Sequence, residues 1–298
     1  MPKQKAFFNG IILLGDVIMF RSIYDILNKN IDYSKEYKKI KKMFLEEYFI
    51  DGSINHSYTY GQIFNNYIIK WKYRGTKCSL KEILDEIEQN TDCGKDPITD
   101  CLYLCELILN IREFLIFAKK NYFMSDDNIY IGQFNDEMLI GNILYILKEL
   151  GYCLHKEEDY KIILVKDDAD AISTAIVVED NDISNLIMQY NDFKIVNNIK
   201  EKQKILFNIA KYLEPKRSKI KEKNKDLEQN LFMAFNKLNI RHNNIDGKDK
   251  EDYTSNLSKE ELLQWYDRTF NLSLIAIRLI ELKNIIEPFD KVRKEYFS

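Results

Sequence analysis

The sequence predicts a mainly α protein, with a helical N-terminal part, a small α/β segment holding a β-hairpin in the middle, and a helical bundle at the C-terminal end. Three observations carry this expectation. Only four prolines and ten glycines punctuate 298 residues, too few for the many tight turns of an all-β chain. Apolar residues recur at three- and four-residue spacing through much of the chain, the period of a helix with one buried face. Hydrophobic residues make up 45% and charged residues 31%, enough apolar material for a packed core and the opposite of a disordered composition. The length suits two packed units better than one core.

Residues 1–124 read as the helical N-terminal region. The apolar run 6–20 follows two lysines in the manner of a signal peptide, but Asp16 interrupts it and it is too short to span a bilayer, so it reads as a buried core segment. With no membrane segment elsewhere, no membrane partner and a cytoplasmic location are expected. Residues 53–61 are polar and aromatic and read as a loop or short extended segment, with His56 as a surface histidine. An amphipathic helix carries Leu80, Ile83, Leu84 and Ile87. A second, from about Asp100, carries Leu104, Leu107, Ile108, Ile111, Phe114, Leu115 and Phe117.

Residues 125–183 form the small acidic α/β segment. A helix from Phe134 to Leu150 is ended by Gly151, placed where a left-handed residue is favoured. The β-prone runs 152–155 and 160–165 predict a hairpin. Asp168 caps a helix from Ala169 to Val178, with Ile176-Val-Val as an alternative third strand. A helix followed by a hairpin is the layout of a winged helix, but this hairpin is acidic and phosphate backbones repel it.

Residues 184–298 form the C-terminal bundle. Ser184 is the expected start of a short helix through Ile187, and a longer one covers Lys200 to Leu213. Pro215 breaks the chain because it lacks an amide hydrogen and restricts Glu214. One amphipathic helix then carries Ile220, Leu227, Leu231, Ala234, Phe235 and Leu238. Ser258-Lys-Glu-Glu261 is a capping box, with Leu257 and Leu262 spaced as a hydrophobic staple, and the helix it starts reaches Ile286.

The net charge of −3 hides an uneven layout. Residues 125–184 hold 14 Asp/Glu against 4 Lys, and residues 194–225 hold 11 Lys/Arg against 3 Glu. The basic block is either a phosphate-binding face or a solvated surface neutralised by the acidic block of the same molecule. The five cysteines, without a secretory signal, read as reduced thiols. Cys101 and Cys105 share a helix face with no CxxC and no nearby histidine, so they read as small buried apolar residues, and no metal site is expected.

One polar turn stands out, Asn236-Lys-Leu-Asn-Ile-Arg-His-Asn-Asn244, between two amphipathic helices. Its polar side chains can cap the carbonyls of the preceding helix and complement its negative end. They can also do chemistry. Arg241 offers a permanent positive fork suited to phosphate, and His242 titrates near neutrality and can move a proton. Such a pair suits metal-free RNA cleavage, with a base activating the 2′-hydroxyl and a cation stabilising the pentacovalent phosphate. Two copies of the turn across a dimer groove would assemble that site more readily than one helix could.

On Leu238-Asn-Ile-Arg241-His242-Asn243-Asn244 at a helix end, then a loop and a helix containing Leu263-Gln-Trp-Tyr-Asp267, residues 184–298 resemble the HEPN-type domains of bacterial abortive-infection, toxin–antitoxin and other phage-defence proteins. The resemblance implies a four- to five-helix bundle that dimerises and is often a metal-independent endoribonuclease, with a motif of Arg, a polar residue, a few variable positions and His. The motif's arginine and polar neighbour match Arg241 and the residue after it; in a nuclease reading Arg241 clamps phosphate, His242 acts as acid or base, and Asn243 and Asn244 orient the substrate. Lys211, Lys216, Arg217 and Lys219 would track an RNA backbone, and no cofactor is needed. The chain departs from the motif, since 245–248 are Ile-Asp-Gly-Lys and no later histidine follows. Either His242 takes the proton-transfer role, or the domain keeps the fold for interaction. The second is the expected function: a phage-defence protein whose bundle docks on a second copy or on a neighbouring defence protein. The alternative is an endoribonuclease or RNA-binding toxin.

Overall fold

The computed structural model describes residues 31–52, 56–90, 96–121, 131–241 and 253–282, with six further positions at 286, 289, 292, 293, 295 and 296. The apolar run 6–20 and Cys93 lie outside the described residues. The protein is mainly α, and its apolar side chains gather in two principal cores on either side of a β-hairpin.

The first core is built around one long helix. α1 (Tyr33–Glu46), capped by Asp32, turns Ile40, Met43 and Phe44 inward. β1 (Ile50–Asp51) and β2 (Ser57–Tyr58) form a short antiparallel pair, and His56 beside it is exposed. α2 (Tyr60–Tyr67) starts at a capping box between Thr59 and Gln62, so the polar stretch 53–61 ends as a helix start. α3 (Leu80–Asn90) and α4 (Pro97–Asn121) follow. α4 is apolar around most of its circumference, and α1, α2 and β4 pack on it. A helix without a polar face has to be surrounded, and this one is. Cys101 and Cys105 are buried along it, and among the described residues no group of side chains could hold a metal ion.

Asp136, at the start of α5 (Glu137–Glu149), is 2% exposed and accepts from the Tyr60 hydroxyl and, at 2.6 Å, from Arg112 Nε on α4. This buried cluster ties α2, α4 and α5 together. α5 ends as expected, with Gly151 at φ +71°.

β3 (Tyr152–Glu158) and β4 (Lys161–Lys166) form the expected antiparallel hairpin, pairing Leu154 with Leu164. β4 divides its side chains between the two halves. Ile162 and Leu164 enter the first core, while Ile163 and Val165 pack with Met188 on the other side, as the two-residue period of a strand requires. The Lys166 amide donates to the Asn191 carbonyl at 2.8 Å, which covers part of the free edge of β4.

The second core collects α6 (Ala169–Val177), α7 (Asn181–Tyr190), α8 (Ile199–Leu213), α9 (Arg217–Lys223), α10 (Lys225–Lys237) and α11 (Lys259–Ile280). Asp168 caps α6 through the amides of Asp170 and Ala171, and Ile176 and Val177 are helical rather than a third strand. Three sequence expectations are corrected here. α7 starts at Asp180, which caps it, and Ser184 lies inside the helix with its hydroxyl on the Ala175 carbonyl. The helix expected from Ile220 to Leu238 is two helices, because Asn224 is extended (φ −155°) and its side chain caps α10 through the Leu227 amide at 2.9 Å. α11 ends at Ile280, short of Ile286, with Glu281 at its C-cap.

The capping box of α11 is formed. Ser258 Oγ accepts from the Glu261 amide at 3.1 Å, and Glu261 Oε2 accepts from the Ser258 amide at 2.8 Å. Those bonds to Ser258 hold the Glu261 carboxyl below its ordinary pKa. Ser258→Ala is expected to lower stability by about 1 kcal/mol in thermal or urea unfolding followed by circular dichroism.

Candidate functional site

The polar turn is shaped by its backbone. Leu238 at the end of α10 is buried, and Asn239 takes the left-handed conformation at φ 56°, which asparagine tolerates better than most residues. That reversal returns the Arg241 amide to the Phe235 carbonyl at 3.0 Å. The other exposed ends are met by neighbouring helices: Tyr266 of α11 donates to the Leu238 carbonyl at 3.3 Å, and Gln203 of α8 to the Asn239 carbonyl at 2.6 Å. Asn239 Nδ2 donates to Thr254 Oγ1 at 2.8 Å.

The Arg241 side chain points elsewhere. Its Nη1 lies 2.7 Å from Glu214 Oε2, in the turn after α8, and donates to Asn236 Oδ1 at 3.3 Å. The side chain is 22% exposed. Carbonyl capping, expected of this arginine from sequence, is supplied by Gln203 and Tyr266, and Arg241 instead fastens the end of α10 to the end of α8. Glu214 as its partner was not legible in the sequence. His242, Asn243 and Asn244 lie outside the described residues.

The four basic candidates divide. Lys211 joins Arg241, Glu214, Phe207 and Pro215 around a surface opening of about 430 Å³, and Phe207 is 44% exposed there. Lys216 lays its ammonium over the Tyr212 ring, 3.1 Å from the centroid, and burial lowers its pKa. Arg217 pairs with the buried Glu228 at 2.5 Å and covers the Phe232 ring. Lys219 donates to the Ile280 carbonyl at 3.1 Å, a cation on the C-terminal end of α11. The structure thus brings Lys211 and Arg241 to one opening, whereas Lys216, Arg217 and Lys219 are engaged within the bundle.

A second polar cluster, which sequence reasoning missed, lies between the two cores. Lys194, in the short helical turn after α7, reaches Glu106 Oε1 of α4 at 2.7 Å and Asp192 Oδ2 at 3.2 Å. The other Glu106 oxygen accepts the Leu164 amide of β4 at 3.1 Å. Burial raises the pKa of Glu106 and of Asp192 despite the ammonium between them. Burial pulls Lys194 down, but Glu106 and Asp192 outweigh it and hold the lysine above its ordinary value. Asn110, one turn further along α4, donates to the Ile162 carbonyl at 2.8 Å and accepts the Ile162 amide at 2.9 Å. The available signal was a carboxylate and an amide at i, i+4 inside an otherwise apolar helix, which marks a polar partner without naming it.

Among the described residues no helix is long and apolar enough to cross a membrane. Compared with protein-family models, with curated proteins and with solved structures, the chain matches none of them.

Proposed function

We propose that this chain is a cytoplasmic phage-defence protein of abortive-infection type, in which residues 184–298 act as a HEPN-like interaction and dimerisation module. The observation that carries this reading is the pairing of Arg241 with Glu214 and Asn236. An arginine whose charge is met by a carboxylate 2.7 Å away is poorly placed to clamp phosphate, and well placed to hold α10 against α8. The partner is a second copy of the chain or a neighbouring defence protein, and the exposed Phe207 beside Pro215 and Lys211 gives such a partner an apolar anchor with a cationic rim.

One observation favours the endoribonuclease alternative: Lys211 and Arg241 share an open surface site large enough for a nucleotide unit. Both readings are tested together. Purified full-length protein is incubated with tRNA and mRNA in EDTA beside Arg241→Ala and His242→Ala, while unfolding and solution mass are measured for each. The interaction reading expects intact RNA in every lane, a mass above the monomer, and for Arg241→Ala a loss on the order of 1 kcal/mol of stability. RNA cut by the parent protein and spared by Arg241→Ala or His242→Ala establishes the nuclease instead. A monomer that leaves RNA intact and binds no defence partner overturns both.

A further inference from the structure

α5 is apolar on two sides. Leu139, Ile143, Ile146 and Leu147 enter the first core. Met138 and Tyr145 lie on one line of the opposite side, at 70% and 42% exposure, with Leu144 beside them at 45%. Gly141 falls on the same line, and a Cβ added to it would meet no atom within 4 Å. Glycine in a helix interior costs stability unless something uses its bare backbone, and close approach of a second backbone is one such use. A helix that is apolar on both sides is one that packing covers on both.

The chain enters the first core beside this face. α1 packs on α5, where Asn142 Nδ2 donates to Met43 Sδ at 3.7 Å. Tyr33, the first residue of α1, sits near the end of α5: burial first, and then Glu149, Cys101 and Tyr145, hold its hydroxyl above the ordinary pKa. The described chain begins at Ile31, so residues 1–30 join it next to Tyr145. Eleven of the fifteen residues 6–20 are apolar, too many for water to surround and too few to cross a bilayer, so protein has to cover them.

We propose that the apolar run 6–20 docks as a helix along the outer face of α5, over Met138, Gly141 and Tyr145. Ile11, Leu14 and Ile18 recur at helical spacing and supply its contact stripe. Length permits it: as a helix the run measures about 22 Å against about 10 Å from Met138 to Tyr145, and the ten residues 21–30 extend to roughly 33 Å. Charge matches at both ends. Lys3 and Lys5 precede the run and Arg21 follows it, while Glu137 and Glu149 stand at the two ends of α5, neither in an ion pair among the described residues. Lys148 is the one cation of α5. The run thereby adds an outer layer to the first core, and α5 becomes a helix packed on both sides.

The test is amide hydrogen exchange of the full-length protein, read by mass spectrometry, beside Met138→Gln and Gly141→Gln. Both positions are exposed among the described residues, so neither substitution disturbs the first core. Amides of residues 8–20 are expected to exchange at least a hundredfold slower than in a free chain. Each substitution is expected to speed them at least tenfold while the amides of α4 keep their rates. Melting gives an independent reading, because glutamine is a better helix former than glycine. On a bare face Gly141→Gln raises the melting temperature, and with the run seated there it lowers it. Free-chain exchange of residues 8–20 in the parent protein overturns the proposal, as does protection that survives both substitutions or a melting temperature raised by Gly141→Gln. Protection that is lost on dilution assigns the face to a second copy of the chain and overturns it too.

Discussion

Arg112→Met is expected to destabilise the protein by about 3 kcal/mol, the lower end of what removing one partner of a buried pair costs. The arginine itself is partly exposed, but the carboxylate it would abandon is not: the side chains are 26% and 3% exposed for Arg112 and Asp136. After the substitution Asp136 keeps the Tyr60 hydroxyl, and among the described residues no other cation pairs with its carboxylate. Burial, with the neighbouring Asp136 second, already raises the Tyr60 pKa steeply, so the tyrosine cannot give up its proton to share the load. The converse change, Asp136→Asn, is expected to cost less. Its one amide oxygen can still accept from Tyr60 and Arg112 Nε, only the long 3.4 Å contact to Arg112 Nη2 loses its acceptor, and the guanidinium retains Glu113 at 3.7 Å and some solvent. Urea unfolding with an unchanged slope against denaturant measures both. Equal losses for the two substitutions would mean that the asymmetry of burial is not what sets the cost.

Lys194→Met is expected to cost about 2 kcal/mol at neutral pH, below the 3–5 kcal/mol of a fully buried pair because the ammonium is partly solvated. The side chains of Glu106 and Asp192 are 15% and 11% exposed, and without Lys194 both face a low-dielectric environment unpaired. The deficit has a defined pH dependence. Burial already places both carboxyl pKa values above their ordinary range, and losing the ammonium raises them further. An acid whose folded pKa exceeds its unfolded value binds more protons when folded, so its contribution is favourable at low pH and is lost as pH rises through the folded pKa. The gap between Lys194→Met and the parent protein is therefore expected to be widest near neutrality and to shrink as pH falls through the carboxylate range. Unfolding curves at several pH values check it, and a gap independent of pH would show that lost packing accounts for the whole effect. Lys194 also joins the two halves through Glu106, so local opening at the seam, read by amide exchange of Ile162 and Leu164, is expected to increase.

The helices that were legible have their signals within one turn of sequence. Asp168 caps α6, Gly151 closes α5, and Ser258 with Glu261 opens α11, each through residues no more than four positions apart. Where two local signals competed, the structure chose between them. Asn224 broke an apolar stripe that periodicity alone carried straight through, because its side chain offers the Leu227 amide a better start than a continued helix would. Asp180 displaced Ser184 as the cap of α7 for the same reason, since it meets the amides of Asp182 and Ile183.

The candidate site was legible as a collection of residue types and illegible as an arrangement. Composition marked the basic block of residues 194–225, but a lysine in sequence does not declare whether it faces water, a tyrosine ring or a helix end. Lys216, Arg217 and Lys219 each took an internal partner. Arg241 was singled out from its type and its place at a helix end, while its carboxylate, Glu214, looked from sequence like an ordinary residue before a proline. The Glu106–Lys194 pair joins residues 88 positions apart.

By itself, the sequence determined the helical class, the hairpin, the main apolar faces and several of the caps. Those depend on periodicity and on hydrogen bonds that close within a few residues. Tertiary structure alone decided which charges are neutralised and that Arg241 fastens two helices through Glu214. Those outcomes depend on which distant side chains packing places within about 3 Å of one another, the range over which a buried polar group must find its partner.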